Sequence, residues 1–552
     1  MSKALQVVAV ANIAALMLLW NLGDQTLWQD EAATAVLAKR MLEFGKPLAY
    51  DNRNLITMDY RSGDESATGP LREMAKSAEA GVRFYHERGD YKADTTWVGQ
   101  PWGQFVLAAA SFQLFGVDTW QARLPFALCG VLTIVSLLVF VRSRFDSLTA
   151  WVAVLLLCGN VYWLLHMRQC RYYAPSSLLL WWQFVAYWRW QEGRPWGRLG
   201  FIVAAWLLYQ CDYGVFVPVL AACSGESIIS GRRRRIESLA IAAAIVLLVL
   251  PWYGYYELGS RLKPSLLSYW VRLLALSYSV NQFTIPVVVL IAAMVAAWFD
   301  RSEGSASQGS RGRLVGVGGS LIVVLLVWMA YVAPFGFHRY VVGLTPIAAW
   351  LTAYVLVAAA RKISKVASQS QLQAPLALSA AIIVIVTPWL SQTVAWCVPP
   401  KYRTVPHLDL FVRSEFQRLF DSYLGTMPDP NKQLFAALKL MASPNDEILV
   451  NCDDIPFMFY TDHRIRGGIS AFRMDDPSGE RVVLILISAA NGAPHWLMEK
   501  AVNQRDWNPY PVDIPSCALA NCPDPYVDYR NLSDLPRVIL ALPADPPAAA
   551  NR

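Results

Sequence analysis

The chain has 552 residues, 55% of them hydrophobic and only 16% charged, where soluble domains carry about 25% charged residues. Mean hydropathy is +0.32 and the formal net charge is +7. An ordinary soluble globular protein is excluded. The basic excess reads as membrane orientation, so no nucleic-acid partner is expected.

Taken in chain order, the apolar runs that can cross a bilayer as helices are Ala4–Leu22, Gln121–Val141, Leu148–Leu165, Ala174–Trp190, Leu199–Gln210, Tyr213–Ser230, Ile236–Tyr256, Gln282–Phe299, Leu314–Ala333, Tyr340–Ala360 and Leu376–Cys397. The first is too long for a secretion signal and lacks a small-x-small cleavage site, so it is expected to remain as a span. A further run, Pro101–Gly116, covers roughly 24 Å at about 1.5 Å per residue, short of a hydrocarbon core of about 30 Å. If it lies along the outer surface, sixteen Lys and Arg of the short loops fall on one side and six on the other. The run Arg232–Arg235 then faces the cytoplasm, as the positive-inside rule requires. The expectation is therefore eleven spans, with the N-terminus inside and the C-terminus outside. Leu199–Gln210 is short enough to be broken or tilted, and the Gly/Ser-rich stretch Arg301–Arg313 reads as a flexible cytoplasmic loop.

Two large pieces are then extracytoplasmic. The first loop, residues 23–120, holds a polar, helix-like segment (Pro70–Glu87). The tail, residues 398–552, alternates strand-like runs (Glu447–Val450, Val482–Ile487) with helix-like ones (Asn431–Met441, Pro494–Asn503), which predicts a small C-terminal α/β domain. Nine Cys are scattered, mostly in apolar runs. Cys517 and Cys522 lie close together in a Pro-rich polar stretch, where a local disulfide is plausible outside the cytoplasm. Asp453-Asp454 and Asp475-Asp476 read as turn formers rather than a metal site, and Gly467-Gly468 as a turn. No phosphate-cradling Gly loop and no zinc spacing is present.

Several ordered motifs carry a resemblance. Trp28-x-Asp30-Glu31-Ala32, Gln100-Pro101, Leu114-Phe115-Gly116 and Ala122-Arg123-Leu124-Pro125 resemble the opening of GT-C-type membrane glycosyltransferases, in particular bacterial aminoarabinose transferases and protein O-mannosyltransferases. Arg168-x-x-Arg171-Tyr172-Tyr173-Ala174, Pro251-Trp252 and Arg339-Tyr340…Pro346 extend it over roughly residues 1–360. The resemblance implies a transmembrane glycosyltransferase domain (1–397) in the bacterial inner membrane. It would move a sugar from a polyprenyl-phosphate donor to an extracytoplasmic acceptor hydroxyl on a glycolipid, a polysaccharide or a protein.

Asp30 is the implied catalytic base, its alternative being a helix cap. Glu31 is a second carboxylate at the site or a structural hydrogen-bonding group. Arg123, Arg168, Arg171 and Arg339 fall at outer helix ends, where their planar forks suit a phosphate; interfacial anchoring is the alternative for each. Gln100 stands where relatives place Lys or His, so any phosphate contact there passes through a neutral amide. His338 is a candidate for phosphate or metal contact, or neither. Asp212 and Tyr172 have acceptor or structural roles. Fixed Arg side chains can balance the leaving phosphate, so no essential metal or other cofactor is expected. A transporter or flippase is the competing reading, but such proteins place ionisable groups mid-membrane and show repeated halves. A scaffold whose tail binds a partner leaves Asp30, Glu31 and Arg171 unexplained.

Overall fold

The computed structural model describes residues 2–56, 90–230, 232–258, 266–302, 306–333, 335–395, 413, 415–450, 453–467, 482–487, 507–516, 521–525 and 537–543. In chain order the helices begin α1 (Lys3–Leu19), α2 (Gln29–Phe44), α3 (Gly103–Phe115), α4 (Thr119–Arg144), α5 (Ser147–Cys158), α6 (Val161–Met167), α7 (Tyr173–Gln191), α8 (Pro195–Cys211) and α9 (Tyr213–Ser230). They continue as α10 (Arg232–Tyr255), α11 (Leu266–Phe283), α12 (Val287–Ser302), α13 (Ala306–Val332), α14 (Thr345–Val366), α15 (Gln373–Val386) and α16 (Trp389–Ala395). The remaining elements are α17 (Glu415–Leu424), α18 (Pro430–Met441), β1 (Glu447–Val450), α19 (Asp454–Tyr460), β2 (Arg464–Gly467), β3 (Val482–Leu486), β4 (Trp507–Pro515) and β5 (Arg537–Pro543). They form two compact units. The first comprises Met1–Leu22, Leu124–Gly425 and Pro523–Tyr526; the second comprises Gly23–Arg123, Thr426–Cys522 and Val527–Arg552.

The first unit is helical. Among the described residues, four helices are long and apolar enough to cross a membrane: Thr119–Arg144, Arg235–Tyr255, Arg311–Val332 and Val342–Val366. Two bent pairs bring the number to six if each is one span. Leu148–Leu165 is not one rod. Helices α5 and α6 meet at a 72° bend, where Gly159 ends the first and the Asn160 side chain accepts from Trp163 N to start the second. Gln282–Phe299 is likewise interrupted near its start by an 83° bend between α11 and α12, at Thr284–Pro286. Helix α11 had no counterpart among the sequence-derived spans. Leu376–Cys397 divides at Thr387-Pro388 into α15 and α16. Leu199–Gln210, by contrast, is part of the unbroken 17-residue α8, lengthened at its start by Pro195, which suits a first helical turn. Most of the Arg301–Arg313 stretch is helix: α12 runs to Ser302 and α13 starts at Ala306. Extending an apolar helix costs less than nucleating one, so Gly and Ser are carried along.

Helices α7 and α8 form a tight hairpin. Gly193 takes φ +74°, while Arg194 N donates to Arg189 O and Gly193 N to Trp190 O, closing α7 in a left-handed cap. Gly197 sits where a Cβ would stand 2.3 Å from the backbone N of Trp190, so only glycine lets the two helices approach this closely.

The second unit combines the first loop with the tail. Its five-stranded sheet runs β2-β1-β3-β5-β4, with β1 parallel to both β2 and β3, and β5 antiparallel to β3 and β4. All four residues of β1 are buried: Ile448, Leu449 and Val450 as apolar core of a central strand, and Glu447 in ion pairs with Arg464 and Arg466 of β2. Polar side chains tie loop to tail: Asp429 accepts from Thr26 N and Oγ1 at 2.6 and 2.9 Å, Gln29 Nε2 donates to Asp454 at 2.8 Å, and Ile465 N donates to Asn54 at 2.8 Å. Helix α3 packs on α2; its Phe105, Ala108 and Phe112 are buried, Phe112 stacking on Phe459 at 6.2 Å, while Val106, Leu114 and Phe115 are exposed. Asp453 takes a left-handed conformation (φ +57°) before α19. The expectations for Pro70–Glu87, Gly468, Asp475-Asp476, Pro494–Asn503 and the Cys517 partner of Cys522 lie outside the described residues.

Candidate active site

In the second unit, the residues expected at the catalytic carboxylate gather at the start of α2. Asp30 and Glu31 occupy the first turn of that helix. They do not sit at the end of α1, which closes at Leu19. Glu31 is fully buried, and both of its oxygens accept from Arg123, at 2.8 Å from Nε and 2.7 Å from Nη2. The same guanidinium donates to Gln25 O at 2.9 Å and Thr26 O at 3.2 Å. Arg123 thus donates four hydrogen bonds to Glu31, Gln25 and Thr26 on the approach to α2. Glu31 takes its hydrogen-bonding role, and the pair fixes the turn that carries half-buried Asp30. Gln100 accepts from Gln104 Nε2 at 3.2 Å; Gln104 accepts from Thr34, whose hydroxyl also faces the Asp30 carbonyl at 3.3 Å. The amide at position 100 thus belongs to a polar chain between α2 and α3.

In the first unit, a second cluster forms where α6 turns into α7. Arg168 donates to Met17 O at 3.1 Å and Asn21 O at 3.3 Å, and lies over the Tyr423 ring at 5.2 Å. It caps the last turn of α1, where unpaired carbonyls and the helix dipole favour a cation. Arg171, also buried, lies 5.4 Å from the Tyr172 ring centroid. Arg339, on the turn His338–Tyr340, stacks over Phe337 at 4.5 Å and donates from Nη1 to Asp524 Oδ2 at 2.8 Å.

Tyr172 is the place where these groups converge. Burial raises its hydroxyl well above the usual tyrosine range, with Asp212 and Tyr340 adding to the effect and Arg171 and Arg339 opposing it. Asp212 ends α8, and its Oδ1 accepts from Val215 N at 3.2 Å at the start of α9. Burial pushes its carboxyl up to about 6, against hydrogen bonds that pull it down. Arg171, Tyr172, Asp212 and Arg339 are thus one neighbourhood. His338 is buried among Tyr162, His166 and Phe283 rings, at 6.0, 6.2 and 5.4 Å. Burial pushes its imidazole down to about 3, so it is neutral near pH 7 and brings no positive charge to a phosphate.

Sequence reasoning missed His166, Arg418 and Asp524. His166 Nε2 lies 3.5 Å from Asp524 Oδ1, and buried Arg418 donates to Asp524 O at 3.4 Å. The one local signal was Pro523-Asp524-Pro525, an acidic residue between two prolines that restrict its backbone.

Residues 100–255 match the family model of the dolichyl-phosphate-mannose-protein mannosyltransferases. The fold matches ArnT from Cupriavidus metallidurans, solved bound to undecaprenyl phosphate, with TM-score 0.53, 13% identity and 98% of each chain covered. The chain resembles the GT-C-type membrane glycosyltransferases. The apo state of the same ArnT gives TM-score 0.54 at 13% identity, again over 98% of each chain. The archaeal oligosaccharyltransferase AglB from Archaeoglobus fulgidus, solved with an inhibitory peptide and a dolichol-phosphate, gives TM-score 0.46 at 10% identity, over 87% of this chain and 69% of its own. No curated protein matches the chain by sequence. At these identities the ArnT likeness establishes a common fold, and the GT-C resemblance read from the ordered motifs agrees with it.

Proposed function

We propose that the protein is a polyprenyl-phosphate-sugar-dependent glycosyltransferase that acts on an extracytoplasmic hydroxyl, with Arg171 and Arg339 receiving the donor phosphate. The observation that carries this reading is the Arg171–Tyr172–Asp212–Arg339 neighbourhood, in which buried Arg171 lies over the Tyr172 ring and Arg339 over the adjoining Tyr340 and Phe337 rings, both acting on the Tyr172 hydroxyl. The planar fork of Arg is suited to phosphate oxygens. The mannosyltransferase family match over residues 100–255 supports the glycosyltransferase reading.

Asp30 acts as base in this proposal, taking the proton of the acceptor hydroxyl while the sugar leaves the phosphate with inversion. The chain would cross the bacterial inner membrane eleven times, with its N-terminus cytoplasmic and its tail outside. The acceptor is a glycolipid, a polysaccharide or a protein, and the sugar a hexose or a pentose. Deleting the gene from its host and extracting the lipids tests the assignment. A polyprenyl-linked sugar should accumulate and a glycosylated envelope component should disappear; an unchanged lipid-linked pool with unchanged glycosylation would refute it.

A further inference from the structure

Asp524 holds a position that the proposed chemistry does not explain. Its side chain is entirely buried, and its Oδ2 accepts from Arg339 Nη1 at 2.8 Å. The other oxygen faces His166 Nε2 at 3.5 Å, and the backbone carbonyl accepts from Arg418. The prolines on both sides of it lack the backbone N–H donors that a strand ladder would use.

A carboxylate and a phosphate monoester present the same feature to a guanidinium, an oxyanion at hydrogen-bonding distance. A buried Arg left without an anion is strongly unfavourable, so an empty clamp needs a substitute. Two anions on one guanidinium repel each other, the more so because Asp524 is fully buried and the Arg339 side chain only 12% exposed, where water screens weakly. We propose that Asp524 holds the place of the donor phosphate on Arg339 and gives up that guanidinium when a polyprenyl phosphate binds. The inference rests on the reading of Arg339 as part of the phosphate clamp. Its consequence is selectivity: an anion must compete with a built-in carboxylate, so weak or passing anions such as free phosphate do not occupy the site.

The test uses the full-length protein in lipid nanodiscs, with a polyprenyl monophosphate as the titrated probe. Asp524→Asn keeps size and shape but removes the competing charge. It should tighten probe binding about fivefold or more, the range expected when a competing state is removed. Arg339→Ala should weaken binding, and adding Asp524→Asn to it should bring no gain. Unchanged or weaker binding in Asp524→Asn, with Arg339→Ala still defective, would overturn the placeholder and leave the clamp standing. Normal binding by Arg339→Ala would overturn both. If Asp524→Asn does not fold, hydrogen exchange of the wild-type peptide covering residues 521–525 decides. The probe should speed its exchange, and unchanged or slower exchange would overturn the proposal.

Discussion

Glu31 accepts both prongs of the Arg123 guanidinium, at 2.8 and 2.7 Å, and neither side chain reaches appreciable solvent. The two residues are 92 positions apart in the chain, one in the first turn of α2 and the other in the first turns of α4. Removing one partner leaves a buried charge uncompensated, which costs about 3–5 kcal/mol. Glu31→Gln and Arg123→Ala should therefore lower the apparent melting temperature and the yield of folded protein. Arg123→Lys should recover only part of the loss, because an ammonium cannot fill two bonds and two carbonyls in one plane. Thermal unfolding in detergent, followed by tryptophan fluorescence, measures this. A stable Glu31→Gln protein that has lost transfer alone would return Glu31 to the catalytic set.

Phosphate recognition makes a separate demand on Arg171. Replacing it by Ala should weaken polyprenyl phosphate binding by about 1.5–3 kcal/mol, the worth of a charge-assisted hydrogen bond, or roughly tenfold to a hundredfold in Kd. Lys should restore part of that. Arg168→Ala is the control: it uncaps α1 and should reduce stability with a smaller effect on Kd. Equal donor affinity in wild type and Arg171→Ala would remove that residue from the clamp.

Topology can be tested without any substrate. The four-Arg run at the start of α10 is predicted to be cytoplasmic. A reporter active only in the cytoplasm should work when fused after Arg235 and fail when fused after Ser443. The opposite pattern would mean that the segment containing α3 crosses the bilayer. With 13 residues and about 20 Å of length, that helix is short for a span.

What the sequence made legible was mostly local. Apolar runs located α1, α4, α7 and α13, because burial in lipid or protein leaves a continuous hydrophobic trace. The breaks at Gly159-Asn160 and Thr284–Pro286 were less readable, since a bend of 72° or 83° changes direction without interrupting the apolar composition. Arg171, Tyr172, Asp212 and Arg339 were each singled out by helix-end position and motif, yet nothing local shows that they share a neighbourhood. Pairings across the chain left no trace at all. Arg339 and Asp524 are 185 residues apart, and Thr26 and Asp429 are 403 apart. Only folding discloses which cation finds which carboxylate, and this is why the sequence offered Arg123 a phosphate or an interfacial anchor and not Glu31.

Asp212 offers a pH signature. Its carboxyl is raised from an ordinary value of 3.8 to about 6 by burial. A raised carboxyl binds its proton more tightly in the folded state, so its contribution to stability is complete below the unfolded value and is lost as pH rises through about 6. Wild-type protein should therefore lose apparent melting temperature between about pH 4 and pH 7 by a component that Asp212→Asn lacks. Asn caps a helix about as well as Asp, so the bond to Val215 N should survive the change. Parallel melting curves across that range would show that Asp212 does not titrate there.

The last prediction concerns the base. Transfer to a hydroxyl requires its proton to leave as the new glycosidic bond forms on the face opposite the departing phosphate. Asp30 stands in the first turn of α2, half-buried, on a turn fixed by the Glu31–Arg123 pair and by the Thr34–Gln104–Gln100 chain. General-base assistance is worth about 10² to 10⁴ in rate. Asp30→Asn keeps the shape of the side chain but cannot accept the proton. The variant should fold with wild-type stability and bind the lipid donor normally, yet transfer sugar at least about a hundredfold more slowly, with no rescue by added divalent metal. Retained donor affinity is the part that separates a base from a positioning residue, because a general loosening of the site would lower affinity and rate together. Asp212→Asn is the decisive companion, since Asp212 belongs to the Arg171–Tyr172–Arg339 neighbourhood and carries the raised carboxyl suited to proton transfer near neutral pH. If Asp30→Asn turned over normally while Asp212→Asn was dead, the proton would go to Asp212, and the acidic pair that opens α2 would be architecture alone.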